Sequence, residues 1–545
     1  MHPRPVLSRV RRLAGENKLF TGALAAGLVL RLFAMIGYPG ALWFAGDSYV
    51  YLGAALRPQP NLSKSTGYSF FLRLLLPFHS LTLVTTVQHL MGLAVGVAIY
   101  VLLRRNGVSK TWSAVATLPV LLDGYIIEDE HLVMAESVFT FLLMTALLLV
   151  LWRPGQTRWW TAVIAGLLTG YAALVRSEGA IMLAVLPLFL LLRGRAWKTL
   201  SGWLVAVAFA VAALVPVGGY MAWFHQRTGQ YGVSLSTGFY LWGRVSSFAD
   251  CARINPAGEQ AVVCPTEPPA DRTPPGNFIW HAPQTHQDMA GICTVTVKNG
   301  QTSKECGPVS PAGNTLLTHF AVHAIEAQPL DYLKTVFFNT MMSFGFPRIA
   351  YPGAGTTYYY SFHLHYVTSK YNLLPPDNPD HEWIPGGTAY QDWLSYGHQA
   401  PGVVHKVFAV PVLVYQRVVY TWGPLLALIF LVGLGGLFSL TARRRDQAPL
   451  SWRRPLQAAR SVRYGTVRLH WAPRGTTMLP WVTAVVLLVF PILIADFDYR
   501  YLLPAIPFGC LAAGLSFAPR RARPAAPVAP AAGPEVESAV PGQLR

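Results

Sequence analysis

The feature that most constrains this chain is a series of apolar segments about as long as a membrane is thick. A helix needs about 20 residues to cross the hydrocarbon core of a bilayer. Ten segments come close to this length: 19–36, 81–103, 112–127, 133–152, 159–175, 179–193, 201–224, 419–440, 478–495 and 501–518. Only 12% of the 545 residues are charged, against roughly 25% in a soluble domain. The sequence therefore predicts a polytopic α-helical membrane protein with about ten transmembrane helices.

The first apolar segment is preceded by basic residues, from Arg4 to Lys18, which is also the pattern of a secretory signal peptide. The apolar run continues past Arg31 to about Ile36, and no clear small-residue cleavage site follows it. We therefore expect an uncleaved first transmembrane helix.

The formal net charge of +18 would suggest a nucleic-acid partner in a soluble chain. Here the Lys and Arg residues lie mainly in short loops between apolar segments, and the loop 441–477 carries nine arginines. This distribution is typical of the cytoplasmic side of a membrane protein. It predicts a multi-pass protein in contact with the lipid bilayer, with both termini cytoplasmic and no nucleic-acid partner. The Ala/Arg/Pro-rich composition fits a bacterial plasma membrane.

Acidic residues gather in the loops on the opposite side of the membrane. Asp47 follows the first span, Glu128-Asp129-Glu130 precedes the fourth, Glu178 precedes the sixth, and Asp496 and Asp498 precede the tenth. Charged residues near a membrane are costly and often mark a functional site. Any one of them could be a solvated helix end, but four loops with acidic residues on one face favour a site there.

The apolar segments divide the chain into four parts. These are a transmembrane module 1–224 with the first extracytoplasmic loop 37–80, a large extracytoplasmic domain 225–418, C-terminal helices 419–518 with the basic cytoplasmic loop 441–477, and a disordered cytoplasmic tail 519–545. In the large domain, alternation leading into Asn299-Gly300 predicts a β-hairpin with a type I′ turn. We therefore expect a mixed α/β domain there.

Four of the five cysteines lie in the large domain, where Cys251 and Cys264 have the same spacing as Cys293 and Cys306. An even number of cysteines in an extracytoplasmic region predicts disulfides. Among the three connectivities we favour the two local pairs. A zinc site is the alternative, although the spacings do not match the usual Cys-x-x-Cys knuckles.

Four short motifs follow one another on the acidic side of the chain. They are Asp47-Ser48-Tyr49-Val50-Tyr51 after the first span, Gly67-Tyr68-Ser69-Phe70-Phe71-Leu72 at the end of the first loop, Glu136-Ser137 at the start of the fourth span, and Arg500-Tyr501-Leu502-Leu503-Pro504-Ala505-Ile506-Pro507 at the last span. In order and sidedness they resemble the GT-C superfamily of polyprenyl-phosphate-dependent glycosyltransferases, which includes protein O-mannosyltransferases and lipid A aminoarabinose transferases. The resemblance covers the first seven spans and, locally, the last. Ser69 stands where the family often has proline.

The resemblance implies a GT-C-like fold and an inverting enzyme that moves a sugar from a polyprenyl-phosphate donor to a glycan, lipid or protein acceptor of the cell envelope. Such a reaction needs a base for the acceptor proton and cations for the departing phosphate. Asp47 is the candidate base, with Glu130 as a second catalytic carboxylate. The candidate donor- and phosphate-binding residues are Arg31, Arg176, Arg500 and Tyr501, with Arg500 ranked first. The candidate substrate-orienting residues are Tyr51, Tyr68, Glu128, Asp129, Glu136 and Glu178.

Several of these assignments have a structural alternative. Asp47 could cap the helix that follows it, Arg31 could extend its side chain to the membrane interface, and Arg176 could pair with Glu178. We also expect neighbouring apolar surface to raise the pKa of Asp47 and so make it a better base.

A divalent metal ion, Mg²⁺, Mn²⁺ or Ca²⁺, is a further alternative, with Asp47 and either Asp129 or Glu130 as ligands. Two other functions also stay open. A lipid or glycan transporter or flippase predicts charged or broken helices at the membrane midplane, whereas the charges here gather at one face. A non-catalytic scaffold would keep the fold and bind envelope partners through 225–418.

Overall fold

The structure is a computed structural model, and it describes residues 17–153, 155–282, 291–298, 301–364, 384–397, 403–442, 467–471 and 475–519. The predicted turn at Asn299-Gly300, most of the basic loop and the predicted disordered tail lie outside the described residues. Within the described parts the chain is mainly helical, and its strands form two antiparallel two-stranded ribbons.

Five helices are long and apolar enough to cross a membrane, which confirms the predicted polytopic membrane protein. They are Lys18–Gly37, Leu81–Arg105, Ser177–Lys198, Leu200–Thr228 and Thr476–Ile494. Lys406–Val418 and Gly423–Gly435, which meet at a bend of 60°, provide a sixth crossing if they are counted as one broken span. Three shorter apolar helices accompany them: Gly67–Phe78, Glu136–Leu151 and Trp159–Val175. The sequence predicted ten spans, so the described residues contain fewer single helices of spanning length than expected.

The helices of the transmembrane module are, in chain order, α1 (Lys18–Gly37), α2 (Ala45–Leu56), α3 (Gly67–Leu75), α4 (Leu81–Arg105), α5 (Lys110–Val115), α6 (Leu118–Leu122), α7 (Gly124–Asp129), α8 (Glu136–Leu151), α9 (Trp159–Val175), α10 (Met182–Leu192) and α11 (Leu200–Thr228). The large loop region contains α12 (Thr237–Ser246), α13 (Cys251–Ile254), α14 (Glu259–Val262), α15 (Pro275–His281), β1 (Cys293–Lys298), β2 (Gln301–Cys306), α16 (Pro311–Ala327), α17 (Pro329–Met342), α18 (Ala354–Tyr359) and α19 (Ala389–Gly397). The C-terminal part contains α20 (Lys406–Val418), α21 (Gly423–Gly435), β3 (Phe438–Ala442), β4 (Val467–Trp471), α22 (Gly475–Ile494), α23 (Tyr499–Leu502) and α24 (Ala505–Ser516).

The predicted span 112–127 is not a single helix, because three short helices, α5, α6 and α7, cover it. Pro119 lies in the first turn of α6, where it lacks the N–H needed to continue the preceding helix. Asp123 ends α6 in an extended conformation, and its Oδ1 accepts hydrogen bonds from the N–H groups of Tyr125 (2.8 Å) and Ile126 (3.3 Å). This polar cap starts α7, so the chain changes direction where an uninterrupted span was expected.

Helices α9 and α11 approach each other closely through glycines. A Cβ atom at Gly170 would lie 2.1 Å from the carbonyl oxygen of Ala213, and one at Gly166 would lie 2.4 Å from that of Phe209. Such contacts are typical of helix pairs in membranes, where close backbone packing replaces the hydrophobic effect as the source of association. The pair fixes the end of α9, from which Arg176 follows.

The large loop region is built mainly from helices, so the expected mixed α/β domain is not confirmed. Among its described residues one hairpin is present, in which β1 and β2 pair antiparallel with Cys293 opposite Cys306. The structure joins Cys293 to Cys306 and Cys251 to Cys264, the two local pairs favoured from the spacing. We call the side of the helix bundle that carries this region the loop side.

Candidate active site

A cavity of about 1180 Å³ lies where three parts of the chain meet on the loop side. Its wall is formed by residues between 44 and 64, by parts of the large loop region, and by residues 495–501 before the last helix. Asp47 and Arg500 both lie in this wall. The first and the last of the predicted acidic loops therefore meet at one site.

Asp47 lies in the first turn of α2 and faces two cations. The Nζ atom of Lys64 contacts its Oδ1, and Nη1 of Arg500 lies 3.4 Å from its Oδ2. The helix begins at Ala45 with Phe44 at the N-cap position and no side-chain cap, so the interpretation of Asp47 as a helix cap is wrong. One-quarter of the Asp47 side chain is exposed. The carboxylate is therefore accessible and is held by two positive charges.

The pKa of Asp47 is lowered, contrary to the expectation from the sequence. Burial by itself raises the pKa, but the attraction of Lys64 and Arg500 for the ionised form outweighs this effect. The carboxyl group is therefore ionised at neutral pH and can accept a proton directly, although its intrinsic basicity is lower than expected.

Arg500 is positioned by its own short helix and by two aromatic rings. Asp498 Oδ1 accepts a hydrogen bond from the N–H of Arg500 at 3.1 Å and so caps α23. The guanidinium carbon lies 4.3 Å from the centre of the Phe44 ring and 5.1 Å from that of Tyr501. Cation–π contacts of this kind hold a guanidinium in place without cancelling its charge.

Behind the cavity, the buried carboxylate of Glu136 joins two of the predicted phosphate-binding arginines. Its Oε1 contacts Nη1 of Arg176 and lies 3.9 Å from Nε of Arg500. Arg176 also donates two hydrogen bonds to Glu178, at 2.7 and 3.2 Å, so the predicted pairing of these two residues is observed. Its guanidinium lies 5.5 Å from the ring of Tyr501. Glu136 therefore sets the relative position of the two arginines.

Of the three candidate tyrosines, Tyr501 lies in the cavity wall, whereas Tyr51 and Tyr68 lie next to the site. The rings of Tyr51 and Tyr68 meet edge to face at 4.9 Å, and the Oη of Tyr68 donates a hydrogen bond to Gln88 at 2.6 Å. The Nζ of Lys64 lies 5.5 Å from the centre of the Tyr51 ring. Tyr51 thus supports the lysine that contacts Asp47.

The acidic pair Glu128 and Asp129 is buried behind Glu136. Asp129 accepts a hydrogen bond from Ser137 at 3.1 Å, whereas neither carboxylate oxygen of Glu128 has a hydrogen-bond partner among the described residues. Burial, together with the neighbouring carboxylates, raises the pKa of both groups well above its usual range. Neither residue lines the cavity.

Arg31 and Glu130 pair with each other away from the cavity wall. Nε and Nη2 of Arg31 donate to the two oxygens of Glu130, each at 2.7 Å, and Nη1 donates to the carbonyl oxygen of Leu121 at 2.8 Å. His89 Nδ1 lies 2.8 Å from Glu130 Oε2. Both side chains of the pair are almost completely buried, so Arg31 does not extend to the membrane interface. The roles predicted for them in donor binding and catalysis stay predictions.

The predicted metal ligands do not fit a divalent cation. Lys64 and Arg500 contact Asp47, and Arg31 holds Glu130 through both of its oxygens. Within the ranges that the structure describes, no group of three His, Cys, Asp or Glu side chains is placed so that it could hold a metal ion. A hard cation requires several oxygen ligands of this kind. We therefore assign no role to a metal ion.

Sequence reasoning missed Lys64 in the cavity wall, and it named Asp496 only as one of the acidic loop residues, without a role. Lys64 is the only lysine of the loop 37–80, a signal that could have marked it. Asp496 accepts hydrogen bonds from the N–H of Gly276 and the Oη of Tyr351, both at 2.8 Å, and burial raises its pKa to about 6. These partners are 220 and 145 positions away in the chain, so no local pattern indicates that Asp496 ties the large loop region to the segment that carries Arg500.

The fold and the site together define a class, a multi-pass membrane protein with a charged cavity where the loops of one side meet. The model of the family described as dolichyl-phosphate-mannose-protein mannosyltransferase matches residues 76–228. This match confirms the predicted resemblance to the GT-C glycosyltransferases. The matched segment includes Glu136 and Arg176 and does not include Asp47 or Arg500.

Two solved structures are similar to the chain at low identity. The S. cerevisiae protein O-mannosyltransferase Pmt1–Pmt2 complex bound to the sugar donor is 14% identical, with a TM-score of 0.32, over 43% of this chain and 36% of that chain. The Archaeoglobus fulgidus oligosaccharyltransferase in its apo form is 13% identical, with a TM-score of 0.32, over 92% of this chain and 50% of that chain. The chain thus spans half or less of the length of these proteins. A search of curated proteins finds no significant match.

Proposed function

We propose that this chain is an integral-membrane, inverting glycosyltransferase that moves a sugar from a polyprenyl-phosphate donor to an acceptor of the cell envelope on the extracytoplasmic side. The observation that carries the proposal is the position of Asp47, in the wall of a large cavity and between Lys64 and Arg500. A carboxylate beside two cations combines a proton acceptor with a binding site for a phosphate. The family match over residues 76–228 supports the same chemistry.

In this mechanism Asp47 is the general base. Its lowered pKa keeps it ionised at neutral pH, and an acceptor hydroxyl or amine within hydrogen-bond reach can give it a proton. The acceptor oxygen or nitrogen forms a bond to the anomeric carbon while the bond from that carbon to the phosphate oxygen breaks. The electron pair of the broken bond leaves with the polyprenyl phosphate. Attack on the face opposite the phosphate inverts the anomeric configuration.

Lys64 and Arg500 bind the phosphate of the donor. Fixed cations stabilise the negative charge that gathers on the leaving phosphate, and the planar guanidinium fork of arginine suits phosphate oxygens. In the structure both cations contact Asp47. A donor phosphate would compete for them and leave the base free for the acceptor, while Glu136 keeps Arg500 in position.

The size and lining of the cavity support a substrate larger than a single sugar. Small-molecule pockets usually measure roughly 300–1,000 Å³, and this cavity is larger, at about 1180 Å³. The large loop region contributes aromatic side chains to the wall, among them Tyr240, Trp280 and Tyr359. Such rings offer apolar faces against which a sugar can stack. The acceptor is accordingly a glycan, a lipid or a protein segment.

The proposal is tested with the full-length chain in proteoliposomes, a panel of radiolabelled polyprenyl-phosphate sugars and an envelope extract as acceptor. We expect chain-dependent transfer of label from at least one donor, with release of polyprenyl phosphate. Bound donor without transfer would indicate a scaffold, and donor carried to the opposite leaflet without transfer would indicate a flippase. Either result would overturn the proposal.

Replacing Lys64 by methionine is expected to move the acidic limb of the pH profile of kcat/KM to higher pH. The Lys64 charge is the largest influence that lowers the pKa of Asp47, so its loss raises that pKa and the base is protonated earlier as the pH falls. The profile is measured for wild type, Lys64→Met and Lys64→Arg. Lys406→Met, at an exposed position outside the cavity wall, serves as the control. An acidic limb that does not move in Lys64→Met would contradict the proposed pairing.

A further inference from the structure

Helix α17 carries an exposed apolar face within the region that the sequence assigned to the extracytoplasmic domain. Leu330, Leu333, Phe337 and Met341 follow one another at intervals of three or four residues, Phe338 is next to Phe337, and all five are between 41% and 78% exposed. Phe346 and Ile349, just after the helix, are also exposed. Soluble proteins rarely expose a continuous apolar surface of this kind, and where they do it marks an interface with protein or membrane.

The opposite face of α17 packs against the loop-side end of the spanning helix α22. The Oη of Tyr332 donates a hydrogen bond to the carbonyl oxygen of Leu493 at 3.0 Å, and Val336, one turn further along, is buried in the core of the helix bundle. The exposed face of α17 is therefore at the level at which α22 leaves the membrane.

The residues after α17 pack against the apolar helix α21 and the residue before it, Trp422. The ring of Phe344 is 6.1 Å from that of Phe430, and the ring of Phe346 is 5.5 Å from that of Trp422. A Cβ atom at Gly423 would lie 2.2 Å from the carbonyl oxygen of Gly345, so the two backbones are in direct contact. The chain then returns to the loop region, where Tyr351 donates to Asp496 and Asn277 to Pro352.

Of the three charged residues in 329–349, Asp331 and Arg348 are held by other parts of the protein. The guanidinium of Arg348 lies over three rings, 4.0 Å from the centre of Tyr125, 4.9 Å from that of Tyr420 and 4.8 Å from that of Tyr499. Asp331, in the first turn of α17, is directed to Arg253 of the loop region at 3.3 Å. The third, Lys334 in the second turn, is exposed on this face, and its flexible stem allows the ammonium to reach the water at the membrane interface. Beyond that turn the face consists of Phe337, Phe338 and Met341 and carries no charge.

Four N–H groups of the turn are hydrogen-bonded within the protein. The N–H groups of Ser343, Phe344 and Gly345 donate to carbonyl oxygens of the last turn of α17, and that of Ile349 donates to the Oη of Tyr499 at 3.1 Å. Pro347 has no N–H. Non-helical backbone is tolerated at membrane depth only where its polar groups are satisfied by protein.

We propose that residues 329–349 form a re-entrant segment whose apolar face is inserted among the acyl chains of the loop-side leaflet. A 14-residue helix is too short to span a bilayer and has the length of a re-entrant or interfacial element. The lipid surface is its partner because the face continues the exposed apolar face of α21, formed by Leu425, Leu428 and Leu431. The segment anchors the large loop region to the membrane next to Asp496, whatever reaction the cavity catalyses.

The proposal is tested by spin labels on the full-length chain in proteoliposomes. Cysteines replace Phe338 or Leu333 in turn, while Leu431→Cys on the exposed face of α21 is the lipid-facing reference and Val295→Cys on β1 is the water-facing reference. The native cysteines are paired in disulfides, apart from the buried Cys510, so they do not take up the label. Collisions are measured with molecular oxygen, which concentrates in lipid, and with nickel–EDDA, which stays in water.

We expect labels at 338 and 333 to collide with oxygen and to be protected from nickel–EDDA, as at 431. Collision with nickel–EDDA at both positions, as at 295, would place the face in water and overturn the proposal. Protection from both reagents would show that protein covers the face, from a second copy or another partner, and would overturn it equally. Two positions are used so that a local disturbance by one label does not decide the result.

Discussion

Asp47→Asn is expected to lower the rate of sugar transfer by about 10²–10⁴-fold, the usual contribution of a general base. Asparagine keeps the size of the side chain but cannot accept the acceptor proton. Because Lys64 and Arg500 lose the carboxylate that they contact in the structure, the donor phosphate should bind as tightly as in wild type or more tightly. The variant should therefore lose kcat and keep or lower its KM for the donor.

The measurement is single-turnover transfer together with direct binding of the labelled donor, for wild type, Asp47→Asn and the control Asp250→Asn. Asp250 carries an exposed carboxylate that pairs with Arg253 in the large loop region, so its loss should leave transfer unchanged. Transfer by Asp47→Asn at the wild-type rate would remove Asp47 from the mechanism. Loss of donor binding in place of turnover would assign Asp47 to binding.

Arg31→Met is expected to destabilise the folded protein by about 3–5 kcal/mol, because it leaves the carboxylate of Glu130 buried without its counter-charge. The two side chains are 1% and 2% exposed and share two hydrogen bonds of 2.7 Å. Glu130→Gln should be destabilising as well, since it leaves the guanidinium unpaired. The double variant Arg31→Met/Glu130→Gln removes both charges and should be more stable than either single variant.

Unfolding free energies in detergent measure this cycle, with Arg253→Met as the comparison. That arginine forms exposed ion pairs, which contribute roughly 0–1 kcal/mol. The rate of sugar transfer by the double variant, divided by the amount of folded protein, then shows whether the pair acts on stability or on the reaction. A wild-type rate would assign the pair to the architecture of α1, α4 and α7, whereas a lost rate with restored stability would support a role of the pair in transfer, as donor-binding Arg31 or catalytic Glu130.

The acidic and basic loops could be predicted because charged residues are costly inside a bilayer and therefore occur between the apolar segments. The distribution of charges along the chain also indicated that Asp47, Arg176, Glu178 and Arg500 belong to one side of the membrane. It did not indicate which of these residues are in contact, since Asp47 and Arg500 are 453 positions apart. From the sequence, Glu130 was predicted to be a catalytic carboxylate together with Asp47, whereas in the folded chain Glu130 pairs with Arg31.

Expectations failed where a local property was overruled by a distant group. Apolar surroundings should raise the pKa of Asp47, but Lys64 and Arg500 bring two charges to it and lower the pKa instead. The hydropathy of 112–127 indicated one span, yet Pro119 and the cap at Asp123 divide it. The apolar residues of 329–349 are too few for a span and were assigned to the loop region, because hydropathy alone does not report what lies beside them.

The sequence by itself determined that this chain crosses a membrane and that its order of motifs is similar to that of GT-C glycosyltransferases, and it predicted that the charged loops separate by side. These properties follow from the transfer free energy of residues taken one segment at a time, which depends on composition and spacing. Only the tertiary structure decided which charges pair, that Lys64 faces Asp47, and that Asp496 joins the large loop region to the segment carrying Arg500. Electrostatic pairing and the packing of distant segments depend on distances of a few ångströms between residues far apart in the chain, and these distances are set only when the whole bundle is assembled.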